Sequence, residues 1–435
     1  MAFIRLMEYE WSEYPHEVDY YVPDSWDVTV HHIAGQKKPV LTPSQISSQV
    51  ASPINSPRIR DLAKGKKKAC IIFDDLSRGT PTHKVIPAVL AELKAGGVAD
   101  NQIEFICAVA NHQISDRSLV ARKVGEDIVT RYPVFFHVPF FNCTPLGKTS
   151  FGTKVEINNE VLSCDLKIAI QATTPHATYG FGGGGKIAMP GISSIESVYE
   201  HHGVIHRGVR EMLRRTPDAA GVFDGNPQPQ DAMEIAKMAN INFVINCLLN
   251  ETGEVTDIFA GDIEAAHKAA VAEAKEHYQV PDTRDDDIVI SNAYCKAIEA
   301  NHALEAAYLA VNRSGGTAVT IANTHQGQIM HYLSGAWGMS SGGRSGPVRG
   351  QPIPSWVNHC IFFTEFPEAR NRYRFAEKDL SKVHFATNWT EVISKLIEWH
   401  GFKAKVAVFP DGTNQYTVQP EYQEPFTLTA ENARR

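Results

Sequence analysis

Two histidines, a lysine, an aspartate and an arginine carry the chemistry this sequence offers. Asp75 and Arg78 stand three apart in Asp74-Asp75-Leu76-Ser77-Arg78, His112 lies in Ala110-Asn111-His112-Gln113, and His176 closes Thr173-Thr174-Pro175-His176. An imidazole titrates near neutrality, so a pair can set one acid/base group on each face of a substrate, as inversion of a stereocentre demands. A guanidinium is a two-pronged donor for a carboxylate. The chain has 18 histidines, so position, not residue type, singles out these two. His201-His202 is a third candidate. Neighbours on a helix point about 100° apart, so only one of them faces a site. An imidazole there suits a borderline divalent metal. As a metal site it is under-liganded on its own, so a metal here has to be held mainly by something other than protein.

Gly180-Phe181-Gly182-Gly183-Gly184-Gly185-Lys186 fits the start of a phosphate-cradling pattern, but Ile187 stands where a Ser or Thr would hold magnesium. Residues 175–179 separate the run from its strand, and Pro190-Gly191 interrupts soon after, so an ATP-hydrolysing loop is not expected. Consecutive glycines imply close approach of the backbone or positive φ. A phosphate near the helix start at 192–194 would meet backbone N–H groups. Lys186 reads either as a counter-charge to that phosphate or as a covalent anchor, and the residues alone favour the counter-charge.

These groups need a frame. Short apolar runs at 69–73, 103–108 and 166–170 each lead into one of the three polar loops. Alternation of such strands with helical patterns predicts parallel sheets in an α/β fold, where ligands sit beyond the carboxyl ends of the strands. Three strands thus deliver a carboxylate, a guanidinium and two imidazoles to one rim. Residues 194–203 and 262–278 read as helices, with Pro281 and an acidic run to Asp287 after the second. Further strands are expected at 288–291, 317–321, 360–364 and 406–409. A helix spaces Trp389, Val392, Ile393, Leu396 and Ile397 and stops at Gly401. Residues 340–350, rich in Gly, Ser and Arg, read as a long loop. The expected organisation is two α/β domains with mostly parallel sheets and the active site in the cleft between them. They comprise an N-terminal catalytic and cofactor-anchoring domain (1–265), a hinge helix and linker (266–284), a C-terminal domain (285–410) and a tail (411–435).

Bulk properties narrow the class. At 435 residues the chain exceeds one ordinary core. Lys and Arg number 42 against 49 Asp and Glu, so the net charge of −7 gives no general footprint for nucleic acid. The basic run 64–68 abuts a strand and reads as its solvated approach. No apolar run is long enough to span a membrane. The first residues carry Arg5, Glu8 and Glu10, so no secretory signal is expected. Seven scattered cysteines point to reduced thiols, and the expected compartment is the cytoplasm.

The ordered set of motifs resembles the nickel-pincer nucleotide-dependent lactate racemase family. It comprises Asp75-x-x-Arg78, His112, His176, Gly-Phe-x-Gly-Gly-x-Lys ending at Lys186, Pro190-Gly191-Ile192, His202, Gly261-Asp262-x-Glu264-Ala265-Ala266-His267, Trp356 and Pro410-Asp411-Gly412. The resemblance runs from about residue 27 to 417. It implies an isomerase that racemises or epimerises 2-hydroxy acids by hydride transfer. It implies a covalent anchor at Lys186 for a pyridinium-3,5-bisthiocarboxylic acid mononucleotide that carries nickel, with His202 as the protein ligand of the metal. Asp75, Gly182, Gly183 and Gly184 would serve the cofactor. His112 and His176 would be the acid/base pair, Arg78 and Lys296 would meet the substrate, and Trp356 would wall the cleft. The implied partners are a small 2-hydroxy carboxylate and the enzymes that build and load the cofactor.

The chain departs from the family at several points. Leu76-Ser77 stands where His-Thr is frequent, and Gly185 where Arg usually precedes the lysine. Lys296 and Glu299 align with the positions that read lactate, and Asn301, His302 and His325 lie within the same stretch or at a strand end. The expected substrate is therefore not lactate itself. Two other readings compete: a metal-assisted hydrolase or lyase on the same rim, and a non-catalytic nucleotide-binding module.

Overall fold

The computed structural model describes residues 2–9, 11, 16–202, 219–332 and 352–418. The loop expected at 340–350 and the tail beyond 418 lie outside these residues. The chain divides into two units. One takes the described residues of 37–277 with His331 and Tyr332. The other takes the described residues of 1–36, 278–330 and 352–418.

The first unit is built on a six-stranded sheet. Its order is Val255–Gly261, Phe243–Leu249, Leu166–Ala172, Ala69–Asp74, Ile103–Ala108, Val134–Phe136. All neighbours are parallel except the Val255–Gly261 edge. Every residue of the Ala69–Asp74, Ile103–Ala108 and Leu166–Ala172 strands is buried. A sheet covered on both faces demands such unbroken apolar runs. Ile71, Phe73, Phe105 and Ile168 pack on one face with the helix Thr82–Ala95. Cys70, Ile72, Ile106 and Ala169 pack on the other with Ile187, Met189, Ile192 and the helix Pro227–Met238. Burying Ile187 and Met189 is worth about 2 kcal/mol each, which pins the turn that carries Lys186 to the core.

The second unit has an all-parallel sheet ordered Val383–Ala386, Val357–Phe363, Gly316–Ile321, Ile288–Asn292, Lys405–Phe409, Asp27–Val30. Its core joins Ile290, Val319, Ile361 and Val408 to the buried face of the helix Trp389–His400. Asn388 caps that helix by accepting from the Glu391 N–H at 2.9 Å, and Gly401 ends it at φ +66°. The parallel α/β reading holds in both units. Residues 1–36, counted with the N-terminal domain in the sequence reading, group instead with this unit because Asp27–Val30 pairs with Lys405–Phe409. Among the described residues no helix is long and apolar enough to cross a membrane.

Candidate active site

The strands ending at Asp74, Ala108 and Ala172 are neighbours in the first sheet, so their following loops leave one rim. Ala110 takes φ +57°, a left-handed turn that costs a non-glycine residue roughly 1–2 kcal/mol. Its N–H donates to Gly191 O at 3.0 Å, which ties the His112 loop to the turn after Lys186.

His112 is buried, and its Nδ1 lies 2.8 Å from Asp75 Oδ2. The other carboxylate oxygen of Asp75 accepts from Ser77 N at 3.0 Å and Ser77 Oγ at 2.5 Å. Burial alone would raise the Asp75 carboxyl. The His112 imidazole, the Arg78 guanidinium and Ser77 outweigh it and hold that carboxyl below its ordinary value. A carboxylate at Nδ1 places a proton there and leaves the lone pair of neutral His112 on Nε2. Arg78 donates to Ser77 O at 2.8 Å and Ser77 Oγ at 2.9 Å, so it shares the serine with His112. Beneath them Lys123, fully buried, pairs with Asp74 at 2.8 Å and donates to Asp75 O and Arg78 O at 2.8 and 2.6 Å. The His331 ring meets His112 edge-on at 4.5 Å.

His176 has the opposite polarity. Its Nδ1 accepts the backbone N–H groups of Thr178 and Tyr179 at 3.2 and 3.4 Å. Neutral His176 therefore carries its proton on Nε2. Toward the site one neutral imidazole thus offers a lone pair at Nε2 and the other a hydrogen-bond donor at Nε2.

Lys186 closes a short 3-10 turn, Gly184–Ile187, and its Nζ sits 4.8 Å from the centroid of the Tyr179 ring. The glycines are demanded by the protein's own packing. A Cβ on Gly184, at φ +54°, would lie 2.1 Å from His267 Nδ1, and one on Gly183 would lie 2.3 Å from Thr173 Oγ1. Gly182 N–H donates to Thr174 O at 2.8 Å and Gly184 N–H to Asn246 Oδ1 at 3.1 Å. These amides are turned inward, which departs from the expected phosphate cradle. Buried beside the turn, Thr173 Oγ1 and Asn246 Nδ2 have no hydrogen-bond partner among the described residues.

The adjacent histidines separate as their helical offset requires. His201 is fully buried, with Nδ1 2.7 Å from Asp231 Oδ2 and Nε2 2.6 Å from Tyr179 Oη. His202 is half-buried, and its Nδ1 lies 3.1 Å from Val198 O. A carbonyl at Nδ1 fixes the proton there and leaves the lone pair on Nε2, the arrangement of a metal-ligating imidazole.

Two substrate candidates belong to the second unit. Lys296 is buried and donates to Thr413 O at 2.8 Å, holding the loop that follows the Lys405–Phe409 strand. Glu299 and Glu305 flank His302 at 3.7 and 3.9 Å. Trp356 precedes the Val357–Phe363 strand, at the amino end of a parallel sheet, which is the edge opposite to where ligands bind. Its Nε1–H donates to Tyr308 O at 2.8 Å and Arg313 covers its ring at 4.2 Å, so the structure gives it a packing role. Tyr179, Asp231, Ser77 and Lys123 were missed at the sequence level. Asp231 and Lys123 carry no local signal, because each matters only through a partner tens of residues away.

Fold and rim together define an α/β protein that presents an Asp–His pair, a second histidine of opposite polarity and a lysine at one sheet edge. Residues 15–212, just under half of the chain, match the family model of the lactate racemase N-terminal domain. A lactate racemase of Lactiplantibacillus plantarum is 30% identical over 293 residues, 65% of this chain and 66% of that one. One from Thermoanaerobacterium thermosaccharolyticum is 29% identical over 249 residues, 57% of each chain. These alignments thus span just under two thirds and 57% of the relatives' own lengths. The fold is similar to the lactate racemase apoprotein of Thermoanaerobacterium thermosaccharolyticum, with TM-score 0.68 at 21% identity, covering 96% of this chain and 100% of that one. A Thermotoga maritima protein shares it with TM-score 0.65 at 17% identity, covering 87% and 99%.

Proposed function

We propose that this chain is a racemase or epimerase of 2-hydroxy acids that works with a nickel-bearing pyridinium nucleotide attached to Lys186. The observation that carries the reading is the pair His112 and His176, set on the strand-end loops that flank the Asp75 loop, with opposite Nε2 polarity. A racemase must take the hydroxyl proton at one face and return it at either, so it needs one imidazole resting as base and one as acid. His112 Nε2 takes the hydroxyl proton as the carbinol becomes a carbonyl. His176 turns Nε2–H to the oxygen, and it would deliver that proton from the imidazolium form, returning to the neutral ring, when the planar 2-oxo acid is reduced from its other face. Arg78 binds the carboxylate, and Asp75 keeps His112 in the tautomer the step requires.

The residues present fit the cofactor. Lys186 is a half-buried amine on a rigid turn, His202 has its Nε2 lone pair set for a metal, and the buried Thr173 hydroxyl and Asn246 amide beside the turn suit polar groups of a nucleotide. When bound, that group supplies the hydride acceptor that a 2-hydroxy carboxylate needs, because its α C–H is too weak an acid for a side-chain base. The enzymes that build the cofactor would be the loading partners. The substrate differs from lactate, a reading supported by Lys296 and Glu299 at the positions that align with the lactate-reading ones.

The test is intact mass with peptide mapping on protein co-produced with the cofactor-building enzymes and nickel, followed by a chirality screen of 2-hydroxy acids. A nucleotide adduct on Lys186 and loss of optical purity in the screen are expected. An unmodified mass, under conditions that load a known relative, sinks the cofactor reading. Lactate as the best substrate by a wide margin would overturn the substrate assignment alone.

A further inference from the structure

The loop between His176 and the glycine run reads in the sequence as a spacer, yet its last residue touches the anchor lysine, the second acid/base histidine and a buried imidazole. The Tyr179 ring carries Lys186 Nζ on its face at 4.8 Å. Its ring stands perpendicular to that of His176, with centroids 5.2 Å apart. Its hydroxyl lies 2.6 Å from His201 Nε2 and 3.2 Å from Met189 O. Behind it His201 Nδ1 lies 2.7 Å from Asp231 Oδ2, and Asp231 also accepts from Thr153 Oγ1 at 2.8 Å. Tyr179, His201 and Asp231 are each about 1% exposed or less.

Polarity runs one way along this chain. The carboxylate fixes the His201 proton at Nδ1, so Nε2 accepts from the phenol and the Tyr179 oxygen is tied to the helix Pro227–Met238. A buried phenol tied in this way cannot rotate out of plane without stranding an imidazole in a dry site. The face it presents is electron-rich and attracts an ammonium.

We propose that Tyr179, braced by the buried Asp231–His201 pair, is the positioning residue of the site: its face holds the Lys186 amine for attachment, and its perpendicular packing sets the His176 ring. The use of the lysine rests on the cofactor reading above. The contact itself belongs to the unloaded chain and can be tested there.

Reductive methylation with 13C-formaldehyde converts each lysine to a dimethylammonium that keeps its charge and gives one resolved resonance. Lys186→Arg assigns the Lys186 signal by its loss. In wild-type protein that signal should fall upfield of the envelope of exposed lysines, because the methyl groups sit in the ring current of Tyr179. A Lys186 resonance inside the envelope overturns the proposal without any variant of the buried residues.

Competitive acylation at one mildly alkaline pH then reads amine availability, with exposed Lys64 as internal reference. Tyr179→Leu removes the face, and Lys186 labelling relative to Lys64 should rise at least about threefold, as loss of a half-buried cation–π contact predicts. Tyr179→Phe and Asp231→Asn keep a ring but loosen its brace, and both should fall between wild type and Tyr179→Leu. A ratio in Tyr179→Leu equal to wild type sinks the proposal, and wild-type ratios in both milder variants sink the brace. Loading trials keep the two readings apart. A shifted Lys186 resonance with no adduct rejects the cofactor and leaves the contact standing. An adduct that forms equally fast on wild type and Tyr179→Leu rejects the positioning role and leaves the cofactor.

Discussion

Asp75 decides where His112 keeps its proton, and the proposed catalysis turns on that choice. With the carboxylate 2.8 Å from Nδ1, the imidazole has its lone pair on Nε2. Asp75→Asn offers an amide in place of the carboxylate, and the Asn can donate to Nδ1 and so move the proton to Nε2. The shape is kept and the polarity lost. In the variant kcat is expected to fall by about 10²–10⁴-fold, the range for loss of a positioned acid/base, whereas a loss of loading would place Asp75 on the cofactor instead. Steady-state rates beside adduct mass check this. A kcat within threefold of wild type would remove His112 from the acid/base pair. His176 takes its tautomer from two backbone N–H groups, so no side-chain substitution nearby should reverse it.

At the scale of elements, a buried carboxylate ties two helices of the first unit together. The short helix Ile59–Leu62 is clamped to Thr82–Ala95 by Glu92, which takes Arg58 at 2.6 Å and Arg60 at 2.5 Å. Burial would raise the Glu92 carboxyl, but the two guanidiniums overcome it and hold it at about 2. Its folded value lies below the unfolded 4.5, so the clamp is at full strength above 4.5 and is lost as pH falls towards 2. Both arginines are more than a third exposed, so screening trims the energy. Glu92→Gln should cost about 1–2 kcal/mol at neutral pH and nothing at pH near 2. Urea titrations at the two pH values decide it, and equal losses at both would mean that packing, not charge, holds the clamp.

For the molecule as a whole, acid is the expected weakness, and two buried histidines of the first unit are the reason. His137 lies 2.8 Å from Ser193 O and 3.0 Å from the Asn158 amide, and His267 lies 2.9 Å from Gly182 O. Burial lowers both to about 4, against 6.5 unfolded. Above 6.5 neither state takes the proton and stability is level. As pH falls from 6.5 towards 4 only the unfolded chain binds it, so stability drops, by up to about 2.7 kcal/mol per pH unit for two protons. Amide exchange in the Leu166–Ala172 strand across that window reads the slope. His267→Gln, which can still donate to Gly182 O, should remove about half of it. A flat profile would show that both imidazoles take a proton in the folded state.

The sequence by itself determined the strands, the loops that follow them and the ends of the clearest helix. Buried parallel strands are unbroken apolar runs, and caps such as Asn388 and Gly401 act within a turn, so both are written locally. Strand-end position also marked Asp75, Arg78, His112 and His176, because such residues share an edge whatever the side-chain detail, while Lys186 stood out as the end of the glycine run and His202 through the family resemblance. Only the tertiary structure decided polarity and support. The tautomers of the two imidazoles depend on Asp75 in one case and on a backbone turn in the other. The glycine run answers to His267 and Thr173, and Trp356 to Tyr308 and Arg313. Strand Asp27–Val30 pairs with Lys405–Phe409, at the far end of the chain. Each of these is a contact between distant segments, and no local pattern of one segment encodes its partner.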